Sequence, residues 1–108
     1  MSKVAVIHTA FEDSPRTVAL VDVGILTGDQ ALEYAYRWTN NVMGSWSIKE
    51  KMLGDQKNGD FNPNVEVLGE LPVVDGKTYG MRSTSMGDQM LIGTRKYKVA
   101  MMGFEELA

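Results

Sequence analysis

The chain alternates short apolar runs with clusters of glycine, proline, asparagine and aspartate, and one stretch carries a helical period. Residues Val4 to Thr9 are rich in β-branched side chains, which suit a pleated strand. Phe11 to Pro15 reads as a turn with proline as the breaker, and Arg16 to Gly24 as a second strand. The continuous Val18-Ala19-Leu20-Val21 run suggests burial on both faces for part of that strand, and the short separation suits an antiparallel hairpin.

The helical period begins after Thr27. With Thr27 as N-cap, Gln30 has the capping-box spacing, and Asp29 complements the positive end of the helix dipole. Leu32, Ala35, Thr39 and Val42 line one stripe. Glu33 and Arg37 stand one turn apart on the exposed side, and Gly44 follows as a left-handed terminator. This spacing predicts a helix over about 29–43.

Beyond the helix, Trp46-Ser47-Ile48 fits a strand start or a turn. Glu50 to Asn64 crowds together glycine, asparagine and aspartate, so it is expected to form a mobile surface loop over about 50–64. Val65 to Leu68 alternates as a half-buried strand. Asp75-Gly76 between Val73-Val74 and Thr78-Tyr79 is a type I′ hairpin signal. Met90 to Ile92 and Tyr97 to Met102, joined through Gly93-Thr94-Arg95, form a second hairpin, and Phe104 to Leu107 a short tail.

One helix cannot cover both faces of a parallel sheet. The pattern therefore predicts a single α+β domain over residues 1–108. Its antiparallel sheet, of about five to six short strands, packs on one main helix.

Composition acts mainly by exclusion. A chain of 108 residues, 44% apolar and 23% charged, has the make-up of an ordinary globular domain. With no cysteine there is no disulfide, thiolate nucleophile or Cys-based metal site. No run approaches the ~18 apolar residues of a membrane span, and the N-terminus lacks the apolar core of a secretory signal, so a cytoplasmic address is expected. The net charge of −3 argues against nucleic acid as a partner. Eight methionines supply either adaptable core filling or a plastic binding surface.

Catalytic patterns are missing. His8 is the sole histidine, and no G-x-S-x-G elbow accompanies it. Asp55 and Asp60 lack the EF-hand spacing, and there is neither a Walker A nor a G-x-G-x-x-G motif. Gly24 to Asp29 leads from a strand into a helix N-terminus, but Asp29 puts a carboxylate where a phosphate would bind. The expectation is a protein that is not an enzyme and uses no metal or cofactor.

Two clusters are candidates for binding. Arg82-Ser83-Thr84-Ser85-Met86-Gly87-Asp88 gathers a guanidinium fork, hydroxyls and a glycine, suited to a small phosphate-bearing ligand such as a nucleotide, with Arg95 on the next hairpin. The other reading is a hydroxyl-rich turn that satisfies its own backbone. Arg37, Trp38 and Trp46 form the second cluster, whose tryptophans could make an aromatic corner that closes the core, an interface hot spot or a base-stacking platform. Strand edges such as Tyr97 to Met102 leave a homo-oligomer open.

Taken together, Thr39-Asn40-Asn41, Trp46 and Arg82 to Asp88 form a "TN…W…RSTSxGD" pattern, followed by a strand pair and Gly103-Phe104. It resembles a family of short phage and mobile-element proteins that have no assigned activity. The resemblance covers about residues 29–104. It implies a small accessory protein that binds a host or phage protein partner through the two clusters.

Overall fold

The computed structural model describes residues Ser2–Ala108. Strand β1 (Ser2–His8) pairs antiparallel with β2 (Arg16–Gly24), the hairpin expected from the sequence. A register shift between Val6 and Ile7 leaves both Val18 and Ala19 buried, which accounts for the unbroken apolar run on β2. Helix α1 (Gly28–Trp38) follows. The small hairpin β3 (Met52–Leu53) and β4 (Gln56–Lys57) comes next, then β5 (Val65–Val67) and the hairpin β6 (Val73–Val74) and β7 (Lys77–Thr78). The chain closes with β8 (Gln89–Ile92), β9 (Arg95–Val99) and β10 (Phe104–Leu107).

The main sheet has six strands in the order β10-β9-β8-β1-β2-β5, every pair antiparallel. With α1 packed on one face, this is the predicted α+β architecture. Val4 and Val6 of β1, Val21 and Val23 of β2 and Met90 of β8 meet Ala31, Leu32 and Ala35 of the helix. The strand pairing places alternate residues on the core, the period of two that a half-covered sheet requires. At the β6–β7 turn, Asp75 (φ 53°) and Gly76 (φ 77°) both take positive φ, as a type I′ turn demands.

The helix is shorter than its apolar stripe suggests. It stops at Trp38, with Thr39 as C-cap, instead of running to Met43. The Thr39 hydroxyl donates to the Ala35 carbonyl at 2.8 Å, and the Asn40 amide donates to Tyr36, so side chains take over the last-turn acceptors. Val42 and Met43 direct their N–H groups to the Asp60 carboxylate, each at 2.8 Å. Gly44 therefore terminates no helix. A Cβ there would lie 2.2 Å from Asn58 Oδ1, so glycine is required by a close approach. Thr27 is the N-cap residue, but its side chain makes no capping bond.

The 50–64 segment is also more built than its composition suggests. Asn58, Asp60 and Asn62 are buried in it. The Asn58 amide donates to the carbonyls of Ser45, Ile48 and Glu50 at 2.9, 3.1 and 3.0 Å, and its oxygen accepts from Ser45 N at 3.0 Å. Turn-forming residues here face inward and satisfy irregular backbone.

Candidate functional site

The Arg82–Asp88 segment bonds to the chain leaving α1, with Trp46 the one member of the second cluster that reaches it. Thr84 N donates to the Thr39 carbonyl at 2.9 Å, and the Thr84 hydroxyl donates to the Thr39 hydroxyl at 2.8 Å. Asn41 N donates to Ser83 Oγ (2.8 Å), and the Asn41 amide donates to the Met81 carbonyl (3.0 Å). The indole N–H of Trp46 donates to the Arg82 carbonyl at 2.9 Å. The segment leaving α1 is thus stitched along the segment entering β8.

Asp88 ties this seam to the end of β1. Its carboxylate accepts the backbone N–H groups of Thr9 (2.8 Å), Ala10 (2.9 Å) and Ser85 (2.8 Å). Arg82 adds a two-pronged pair at 2.7 and 2.9 Å. Burial alone would push the Asp88 carboxyl up. The Arg82 guanidinium and the N–H groups of Ala10, Ser85 and Thr9 overcome it and hold the group well below the usual carboxylate range. Arg82 is raised in turn by its hydrogen bond to Asp88. Its plane lies 5.0 Å from the Phe11 ring, and Glu12 stands 3.6 Å from Nε.

His8 completes the knot from below. It is 2% exposed, with Nε2 3.0 Å from the Thr84 hydroxyl and its ring edge-on to Trp46. Since that hydroxyl donates onward to Thr39, His8 donates from Nε2, which fixes its neutral tautomer. Burial lowers its pKa, and the Arg82 cation lowers it further.

The expected site residues fall into separate roles. Arg82, Ser83, Thr84, Ser85 and Asp88 belong to the knot, with Trp46, fully buried, as its floor. Arg37 and Trp38 lie apart from them. Arg37 pairs with buried Asp60 at 3.1 Å and stacks 4.2 Å above the Trp38 ring, whose aromatic neighbour is Tyr34. The two tryptophans therefore form no common aromatic corner. Arg95 lies at the far end of β8, opposite Ile92, and faces Glu106 at 3.6 Å.

What the knot presents outward is apolar. Met86 projects from its loop beside Gly87, and a hypothetical Cβ at Gly87 would sit 3.2 Å from Ala10 Cβ. Across a shallow groove of about 510 Å³, Met101 and Met102 occupy the β9–β10 turn at 85% and 90% exposed. Phe11, 73% exposed, stands on the β1–β2 turn at the same end of the sheet. The apolar run predicts a strand through Met101 and Met102, but β9 ends at Val99. The signal against it was Gly103, whose φ of 76° closes a tight turn with Ala100. A second open groove, about 600 Å³, lies between Met43, Phe61, Lys51 and Lys57. Asn58 at its wall is committed to backbone partners.

Comparison with family models, with curated proteins and with solved structures gave no match. No described helix is long and apolar enough to cross a membrane.

Proposed function

We infer that this protein is a small non-catalytic interaction protein. It engages a protein partner through the apolar tip formed by Phe11, Met86, Met101 and Met102. The observation that carries this reading is the exposure of those flexible thioethers around one groove, on loops whose backbones the Asp88 knot and the β9–β10 turn hold in place. Methionine surfaces adapt to aliphatic and aromatic partner side chains, and large exposed apolar patches are uncommon without a partner. The phage or mobile-element resemblance of the motif agrees with an accessory role inside a bacterial host.

Two further features favour binding over catalysis and over the phosphate-ligand alternative. His8 is enclosed and engaged with Thr84, away from any groove. The Arg82 fork is already filled by Asp88, and the Ser85 N–H by the same carboxylate, so a phosphate would have to displace a buried anion.

Affinity capture from host lysate with quantitative mass spectrometry tests the reading. A partner enriched by wild type should be lost with Met101→Glu/Met102→Glu and retained with Arg95→Ala. The purified pair should show the same ordering in a binding titration. Equal capture by all three proteins would remove the tip from the account.

A further inference from the structure

The face of the sheet turned away from α1 carries a pattern of its own. Ala5 on β1 stands between Leu20 on β2 and Leu91 on β8. Leu20 in turn pairs with Glu66 on β5, and Leu91 with Lys96 on β9. Read across the sheet, the row is Glu66, Leu20, Ala5, Leu91, Lys96, with Leu107 of the edge strand β10 beyond it: an acid, a leucine, a small residue, a leucine and a base, then an edge leucine that has no counterpart on the β5 side. Ala5, Leu20 and Leu91 are half-buried, and none belongs to the core described above. One row along, Ile7 stands between Thr17 and Gln89.

From Glu66 to Lys96 this row is its own complement. A two-fold axis running along β1 maps β2 onto β8 and β5 onto β9, because those strands flank β1 symmetrically. Ala5 then meets Ala5 and Leu20 meets Leu91. Glu66 meets Lys96 twice, once on each side of the axis. In the next row Ile7 meets Ile7, and Thr17 meets Gln89, a hydroxyl against an amide. The central alanines let the sheets approach, and the flanking leucines fill the space beside them.

Charge sharpens the match. Within one copy Lys98 already has Glu105 across from it, and Lys3 has Asp22. Glu66 and Lys96, by contrast, have only leucines as cross-strand neighbours. They are opposite charges on either side of the Leu20-Ala5-Leu91 stretch. Five strands at ~4.8 Å and the two matched rows at ~6.8 Å give a face on the order of 300 Å² per copy. Two copies would bury about 650 Å², the size of a weak, concentration-dependent contact.

We propose that the protein forms a two-fold symmetric homodimer through this sheet face, with Leu20 against Leu91 and Glu66 against Lys96 of the second copy. The contacts that define the dimer, Leu20 with Leu91 and Glu66 with Lys96, include none of Met86, Met101 and Met102, so the proposal does not rest on the partner reading above; Lys98, one row along, borders both surfaces.

Sedimentation velocity over a concentration series from low micromolar to near-millimolar, at low and high salt, tests it. The wild type should self-associate to a dimer and weaken as salt rises. Glu66→Lys alone and Lys96→Glu alone should each weaken the dimer about tenfold or more, since each sets like charges against one another. An equimolar mixture of the two single variants should dimerise again, because both contacts in the mixed dimer are then opposite in charge. Both positions are exposed, and circular dichroism checks that the variants keep the fold. A wild type that stays monomeric throughout overturns the proposal. So does a dimer unaffected by either charge reversal, or one that Met101→Glu/Met102→Glu abolishes instead.

Discussion

Asp88 and Asp60 are both fully buried, and both face an arginine, yet they hold different things together. Asp88 takes two prongs from Arg82 and backbone N–H groups from both the β1 end and its own loop, joining segments nearly eighty residues apart in sequence. Asp60 takes a single contact from Arg37 and the N–H groups of Val42 and Met43, which fixes only the exit of α1 on the neighbouring loop. The contrast shows where the polar groups of the hydroxyl-rich motif bond. Its polar groups are spent on closing one end of the sheet, and the ligand such groups would suit is already present as the protein's own carboxylate.

Removing the carboxylates should break the comparison most visibly. Asp88→Ala leaves an arginine and three N–H groups without their acceptor and is expected to cost about 3–5 kcal/mol in urea unfolding. Asp60→Ala, which frees fewer donors, should cost about 2–3 kcal/mol. Asparagine should sharpen the difference. Asp60→Asn keeps one acceptor for contacts that are mostly backbone, whereas Asp88→Asn loses the second oxygen of the Arg82 fork. Equal costs at the two sites would mean that the two-pronged geometry adds nothing.

A smaller effect separates the two regions by pH. His8 sits on the Asp88 side, and its folded pKa lies below its unfolded value of 6.5. The unfolded chain therefore binds the proton first. Stability contributed by neutral His8 is present above pH 6.5 and declines as the pH falls below it, by ~1.4 kcal/mol per pH unit at most for one proton. His8→Gln keeps a hydrogen-bonding tip for Thr84 and should flatten that part of the profile; an unchanged slope would place the titration elsewhere. At lower pH, Asp88 continues the loss. Its depressed carboxyl contributes stability above the ordinary aspartate range, and that contribution disappears as the pH falls further through its folded value.

The same contrast explains what was legible from the sequence. The first hairpin, the strand at Val65 and the Asp75-Gly76 turn rest on local periodicity and backbone chemistry, and they stand where those signals place them; the small β3–β4 hairpin and the end of β9 do not. The helix end does not, because Thr39, Asn40 and the Asp60 carboxylate override a good apolar stripe, and the Asp60 contact can be recognised only after folding. Arg82 and Asp88 lie six residues apart and were visible as a cluster, although their pairing with each other was not. Asp60 was hidden in a segment whose composition looks like solvent-exposed loop, since burial of a polar residue leaves no trace in local composition. Met101 and Met102 were read as strand because apolar runs carry no sign of which loops will end side by side.

The double-mutant cycle of Arg82→Met and Asp88→Asn, followed by urea unfolding, tests most directly whether the motif is a structural clamp. The account predicts that each single variant is destabilised and that the double variant recovers part of the loss, with a coupling of about 2 kcal/mol or more between the two residues. Single variants within about 0.5 kcal/mol of wild type, with no coupling, would contradict it and return Arg82 to the pool of groups free to bind a ligand.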